Sequence, residues 1–505
     1  MIPIDIPPGV TNHDSKARMT SAWREAHLMR WDGITLQPIK GWQETPLGPF
    51  ASKLRQMHRW LTNDGVLITA YLCELHLYVD MGENIVDITP VGGLAAPSGN
   101  NAGYGDGQYS TLDYGEARPG APRLTNYTPI YTLDNWGDEL RAMTSGDGRL
   151  LRWAYSDPPG TLATAVIGAP ISNRTFVITP ERHIMLFGLA GELDEFGWSD
   201  EEDDTNWNFL DVTSKAGKFN IEPSSPIVTV KQFYGGILMF TMTTAFIIQF
   251  QGMPYIYGYR EVGEAPVPIS PASIAETPDG VMWPSIDGFW LYTGTSIAPV
   301  PCDILDWVRR NVDGPNSTFQ AYMVNMSNRS ELWWFFVGNE VEGQFDNTKV
   351  VIYDYRDKWW SMGKLGRSCG FVYGNDMYPI MSDGYKVYQH GFGHKYAGTD
   401  MPWIETFSLN MNEGAVFSTV NEIQPEIVGD RDAIRISLIK RNDRTRPAER
   451  TGPARKAYAD GRFQFRETAK DFRMRIQMVE ETPWTIGPLL FDVKPRGKKT
   501  TDKNG

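Results

Sequence analysis

The chain has 505 residues with 41% hydrophobic and 12% aromatic content, which supports an ordinary packed core and a length of about two to four domains. Its 49 glycines and 34 prolines interrupt the chain too often for long helices and favour many short strands. The formal net charge of −13 is uneven: residues 431–505 hold 19 Lys and Arg against 10 Asp and Glu, and the remainder holds 29 against 51, a balance that argues against a general nucleic-acid binder.

Cys73, Cys302 and Cys369 are the only cysteines and define neither a disulfide framework nor a zinc-ligand spacing. The opening MIPIDIPPGVTNHD lacks the basic-then-apolar order of a signal peptide. No window approaches the roughly 18 apolar residues of a membrane span. A soluble chain made in the cytoplasm is therefore expected.

Residues 1–54 read as an N-terminal arm with first strands, and the segment 15–31, SKARMTSAWREAHLMRW, offers its one helical candidate. From residue 55 the pattern becomes short alternating runs closed by Gly, Asp, Asn or Pro, such as GVLITAY, ELHLYVD and KVVIYDY, each a strand signal. An Asp-Gly turn followed by an alternating strand recurs at Asp147, Asp287 and Asp383. The intervals are close to three and two multiples of a blade-sized period, which leaves room for roughly seven blades between residues 55 and 402. Two insertions interrupt this region: the Gly, Pro and Asn rich segment 93–128, and 301–313, read as a short amphipathic helix burying Ile304, Leu305, Trp307 and Val308.

In the hairpin VVIYDYRDKWWSMGKL, strand alternation puts Val351, Tyr353 and Tyr355 on one face and sends Trp359 and Trp360 to opposite sides. Trp207, Trp290, Tyr353, Trp359 and Trp360 are expected to pack blade against blade. Residues 403–497 change character again and read as a C-terminal antiparallel β-sandwich-like domain, whose alternation Phe472-Arg473-Met474-Arg475-Ile476 implies one dry and one cationic face. A basic tail, 498–505, follows. The fold class expected is thus all-β: a propeller of roughly seven blades, an N-terminal arm and a C-terminal sandwich.

No catalytic pattern of the HExxH, GxSxG or P-loop kind occurs. His390 and His394 are separated by a glycine-containing loop that does not favour a metal site. The acidic run GELDEFGWSDEEDDTNW is the best candidate for chemistry. Its spacing does not fit a calcium loop, and it echoes a sialidase turn only loosely. It reads most economically as a solvated loop, and a carboxylate pair for glycoside hydrolysis stays open as the alternative. No catalytic residue, cofactor or metal is assigned, and the protein is expected not to be an enzyme.

The segments IPPGVTNHDSKARMTSAWREAHLMRWDGITLQPIKGW, GWSDEEDDTNW, DGFWLYTGTSIAPVP, VVIYDYRDKWWSMGKL, DGYKVYQHGFG and FRMRIQMVEETPWTIGPLLFDVKPRGKK resemble, in this order, the tail nozzle or packaged-DNA stabilisation proteins of short-tailed bacteriophages. The resemblance implies a virion structural protein of the tail, assembled in the host cytoplasm. Such a protein forms a homohexameric ring that extends and closes the DNA channel below the portal and adaptor complex until genome ejection. Implied partners are further copies of the chain, the adaptor and portal complex, tail fibres or spikes as an additional candidate, and double-stranded DNA passing without sequence specificity. An acidic bore would repel phosphate, and Arg441, Arg444, Arg446, Lys498 and Lys499 are the candidate contacts to a partner or to DNA. A long-tailed particle, and a carbohydrate-active propeller enzyme or receptor-binding protein of the tail, remain alternatives at this point.

Overall fold

Seven four-stranded antiparallel sheets follow one another along the chain. The computed structural model describes residues 1–12, 22–82, 85–95, 129–158, 160–223, 225–314, 317, 321–326, 329–340, 346–374, 378–409, 417–441 and 450–496. Blade one spans 54–87, blade two 131–165, blade three 175–220, blade four 227–264, blade five 275–300 and blade six 322–364. Each is a simple meander, because short alternating strands joined by tight turns pair with their sequence neighbours. The first strands of successive blades lie side by side, except that blade four's meets the turn Pro271–Ser273 just before blade five, and that of blade seven returns to that of blade one.

Blade seven is completed from the other end of the chain. Its strands Cys369–Phe371, Ile380–Ser382 and Val387–His390 accept Trp42–Glu44 as the fourth, in the register Tyr388 to Glu44 and His390 to Trp42. Full closure removes the exposed edges that an open array would leave. Gly41 is required at this junction, since a Cβ there would sit 2.2 Å from the Lys395 carbonyl oxygen. The three Asp-Gly turns occupy equivalent places, between the second and third strands of blades two, five and seven, so their spacing is the blade repeat itself.

The wedges between blades hold the aromatics. One cluster joins Trp60 and Leu72 of blade one to Leu133 and Trp153 of blade two, and the next joins Met143 to Phe176, Leu186 and Trp207. Phe187, Trp198 and Phe246 fill the gap between blades three and four, and Phe240 and Trp283 the one between four and five. Apolar area removed from water at each wedge, about 25 cal/mol per Å², holds blades that share few hydrogen bonds with one another.

A second unit consists of two packed sheets, one of six and one of five strands. It is not built from the C-terminal region alone. Ile2–Ile4, Met29–Asp32 and Thr35–Pro38 join the sheet of Ser418–Gly429, Phe463–Ala469 and Trp484–Pro495, and Trp23–His27 joins that of Trp403–Thr406, Ile434–Arg441 and Asp471–Met478. The arm therefore supplies four of the eleven strands of this unit among the described residues. The helix expected over 15–31 is corrected: residues 13–21 lie outside the described residues, and the remainder forms two strands broken at Leu28, whose φ of 53° turns the chain from one sheet to the other. Pairing with distant strands overrode a weak helical period. The helix expected within 301–313 is present as Leu305–Asn311, with Ile304 and Trp307 buried and Leu305 and Val308 half-buried. Of the insertion 93–128, all but 93–95 falls outside the described residues.

The closure of blade seven has a pH consequence. The Arg367 guanidinium stacks on Trp42 and Tyr388 and donates from Nε to His390 Nε2 at 3.0 Å. Burial, and secondarily Arg367, hold the His390 imidazole well below its ordinary 6.5. Once the pH falls below that value the unfolded chain takes up a proton that the folded chain refuses, so stability declines with falling pH. His27, His183 and His394 shift in the same direction, each mainly through burial. We expect a melting temperature that is level from about pH 8 to 7 and falls from about pH 6.5 to 5, with a shallower fall in His390→Phe. An identical slope in that variant would remove His390 from the account.

Candidate functional site

The acidic run, residues 191–207, lies in blade three: it contains the strand Glu195–Trp198, and its residues 199–207 begin the loop that leads to Gly217–Asn220. Asp200, Glu201, Glu202 and Asp204 each have a partner. Asp200 accepts from the backbone N–H of Glu201 and Lys215, both at 2.9 Å, and from Asn206 Nδ2 at 3.0 Å. Glu201 pairs with Lys215, and Glu202 with Arg182 at 3.3 Å. Asp204 receives two bonds from Arg141, at 3.0 Å from Nε and 2.7 Å from Nη2.

Arg141 lies on the second strand of blade two and is 1% exposed, so the loop supplies the counter-charge for a buried cation and ties blade three to blade two. Asp203 accepts from the hydroxyl and backbone N–H of Thr205, which hold its carboxyl below the ordinary carboxylate range. A glycosidic general acid needs the opposite shift.

The aromatics chosen from sequence divide by location. Trp207 is buried between blades two and three and donates its indole N–H to the Asp204 carbonyl at 2.7 Å. Trp360 is buried against Phe289 of blade five at 4.6 Å and its cross-strand neighbour Tyr353 at 4.3 Å. Trp290 is half-buried at the edge of the cluster between blades four and five. Trp359 is different: it faces away from Trp360 and meets Trp31 of the sandwich at 5.2 Å, edge to face.

Trp359 thus belongs to a seam between sandwich and propeller. Val10 N–H donates to the Trp360 carbonyl at 2.8 Å, Asn12 N–H to the Asp303 carbonyl at 2.7 Å, and Ser361 Oγ to the Met29 carbonyl at 2.8 Å. Lys364 N–H donates to His27 Nδ1 at 3.0 Å. Gly9, at φ +92°, passes so close that a Cβ would lie 2.9 Å from that of Trp359. At the centre of the seam Arg30 of the sandwich and Glu331 of blade six form an ion pair at 3.0 Å, with side chains 5% and 3% exposed.

Of the candidate cations, only Arg441 is described, and it faces Asp471 within its own sheet at 3.4 Å; Arg444, Arg446, Lys498 and Lys499 lie outside the described residues. The alternating arginines do share the outer face of the five-stranded sheet. Arg473 pairs with Glu405 at 3.2 Å, and Arg475 stacks on Trp403 at 3.9 Å. The cationic face of this sheet is partly neutralised from within.

A polar cavity of about 300 Å³ lies among the first strands, lined from blades one, two, three, four and six, from residues 270–274 just before blade five and from Ser368 just before blade seven. Strand alternation places Thr132 and Asp134 on one face of the blade-two strand and Thr229 and Lys231 on one face of the blade-four strand. Thr132 Oγ1 and Thr175 Oγ1 are 2.8 Å apart. His58 Nε2 lies 2.9 Å from Asn135 Oδ1 and 3.8 Å from Asp134. Burial raises the Asp134 carboxyl above its ordinary value, with His58 and Lys231 opposing. These residues were not singled out from sequence. The local signal is confined to alternate polar positions in two first strands, Thr132 and Asp134 in blade two and Thr229 and Lys231 in blade four, and says nothing of their lining one cavity. A cavity of this size cannot pass a duplex whose major groove alone is about 12 Å wide.

No family model matches the chain, and no curated protein matches it. Among solved structures, it is similar to virginiamycin B lyase of Staphylococcus aureus with quinupristin, at 10% identity and a TM-score of 0.40 over 69% of this chain and 98% of that one. It is also similar to an exported protein of Bacteroides fragilis, at 10% identity and 0.30 over 51% and 88%. A third is Hsv2 of Kluyveromyces marxianus, at 9% identity and 0.33 over 72% and 95%. Such likeness extends to fold alone and carries nothing about chemistry.

Proposed function

We propose that this chain is a structural protein of a tailed-phage virion, one subunit of a tail nozzle ring that continues the DNA channel below the adaptor and holds it closed until ejection. The observation that supports this reading is where the segments resembling nozzle proteins meet. IPPGVTN meets KWWSMG across the seam through Val10 with Trp360, and KWWSMG meets DGFWLYTGTSIAPVP inside the propeller through Trp360 Nε1 with the Pro301 carbonyl at 3.0 Å and Phe289 with Trp360. Residues that fix one domain on another give a rigid two-part unit, and a ring that must close needs a fixed angle between its contact surfaces.

On this reading the DNA bore is enclosed between copies, because the cavity inside one propeller is too narrow for a duplex. Catalysis plays no part in the role, and the acidic loop serves as scaffold. The test is mass by light scattering, on the purified chain alone and mixed with the adaptor complex of the same particle. Assembly of about six copies on the adaptor is the expected result. A chain that ignores the adaptor, or that cleaves a bacterial polysaccharide, would overturn the reading.

A further inference from the structure

Trp42–Glu44, the strand that closes blade seven, is three residues long and pairs on one side only, with Val387–His390. Trp42 N–H donates to the Lys395 carbonyl at 3.1 Å, Thr45 N–H to the Val387 carbonyl at 2.9 Å, and Trp42 Nε1 to the Ala397 carbonyl at 3.1 Å. Beneath the strand lies a stack of side chains. His390 packs on Trp42 with ring centroids 5.1 Å apart, and the Arg367 guanidinium lies 5.1 Å from the Trp42 ring and 4.5 Å from that of Tyr388. His390 is 2% exposed and Arg367 6%.

One hydrogen bond fixes the charge of this stack. Arg367 donates from Nε to His390 Nε2 at 3.0 Å, so that nitrogen carries no proton and the imidazole is neutral while the strand is in place. A proton on Nε2 removes the acceptor and sets two cations side by side out of water, where like charges cost most. Among the described residues no carboxylate pairs with either group. Asp383 accepts from Tyr388 Oη and from the backbone N–H groups of Tyr385 and Lys386, all at 2.9 Å, and acts on Arg367 only at longer range. Glu44 pairs with Lys386 at 2.9 Å on the exposed edge, and the segment 394–397 packed on Trp42 brings His394, Lys395 and Tyr396, none of them a carboxylate. We propose that the Arg367–His390 pair is an acid-sensitive latch: a proton on His390 releases Trp42–Glu44 and opens the closure of the propeller while the other blades stay folded. The open form exposes an imidazole with the ordinary pKa of about 6.5, and the closed form, held lower by burial, refuses the proton. Each unit of pH below about 6 therefore raises the open fraction about tenfold. A short strand held at one edge is the kind of segment that opens ahead of the whole. The released strand is the one that runs on from Thr35–Pro38 of the sandwich into the ring of blades, and the latch does not depend on whether copies assemble, since every group in it comes from one chain.

The experiment is hydrogen exchange of the full chain read by mass spectrometry at about pH 7, 6 and 5, with rates corrected for the intrinsic pH dependence of exchange. Protection of residues 41–45 and 387–390 is expected to fall about tenfold between about pH 6 and 5. Protection of Gly236–Thr241 and Gly280–Ser285, in blades four and five, which contain no histidine, should change by less than about twofold. His390→Gln keeps an acceptor for Arg367 and does not titrate, so its protection at 41–45 should be level across the range. The pH series on the parent chain decides the matter by itself if that variant folds poorly. Level protection of 41–45 in the parent, an equal fall in all four segments, or the parental pH dependence in His390→Gln would each overturn the proposal.

Discussion

Glu331→Ala is expected to lower the unfolding free energy by about 3–5 kcal/mol, the cost of leaving a buried partner charge alone. Arg30 would keep its guanidinium inside the seam with nothing to match it, and Trp333 Nε1, which donates to Glu331 Oε2 at 2.8 Å, would lose its acceptor as well. Burial already holds Arg30 below its ordinary pKa, with Glu331 as the opposing influence. The double variant Arg30→Met with Glu331→Leu should recover most of the loss, because an apolar pair of similar volume avoids desolvating two ions. Denaturant midpoints of the two singles and the double form a cycle that measures the coupling. A single variant within about 0.5 kcal/mol of the parent would mean that water reaches the seam.

Trp360→Ala should cost a comparable 3–5 kcal/mol, roughly the range for truncating a buried large aromatic. Trp360 is 2% exposed and touches three rings, Tyr353, Phe289 and Trp334, the last with centroids 6.3 Å apart and nearly parallel. Its loss opens the wedge between blades five and six, where the surrounding strands are held by their own ladders and cannot collapse inward. Trp360→Phe should retain part of the stability and lose the bond to Pro301. If instead Trp360→Ala unfolds at the parental midpoint, the aromatic wedges are not what holds the blades together. Trp359→Ala gives the contrast: its contact is with Trp31, so the effect should fall on the docking of the sandwich, visible as faster proteolysis between the two units.

The elements legible from sequence were those whose signals are local. Asp147, Asp287 and Asp383 marked equivalent turns because Asp-Gly favours a tight hairpin wherever it occurs. Within residues 403–497, read as an antiparallel β-domain, Ser418–Gly429 and Ile434–Arg441 are strands. Trp359 and Trp360 were assigned to opposite faces by strand alternation, and they do face opposite ways. The segment 23–32 was misread because its apolar positions fit two periods, and only its partners, Trp403–Thr406 on one side and Thr35–Pro38 on the other, select the strand.

The acidic run shows the limit most clearly. Nothing near Asp204 in sequence reveals that Arg141, in another blade, is waiting for it, so a loop that is a structural counter-ion looks like a candidate for chemistry.

Strand content, turn positions and the blade repeat were determined by the sequence alone, because backbone preference and side-chain alternation act over a few residues. The closure of blade seven by Trp42–Glu44, the sandwich made from both ends of the chain, and the pairing of Arg30 with Glu331 and of Arg141 with Asp204 were decided only by the tertiary structure. Those outcomes depend on groups tens to hundreds of residues apart meeting in a low-dielectric interior, where the free energy of a charge is set by what lies beside it and not by what precedes it in the chain.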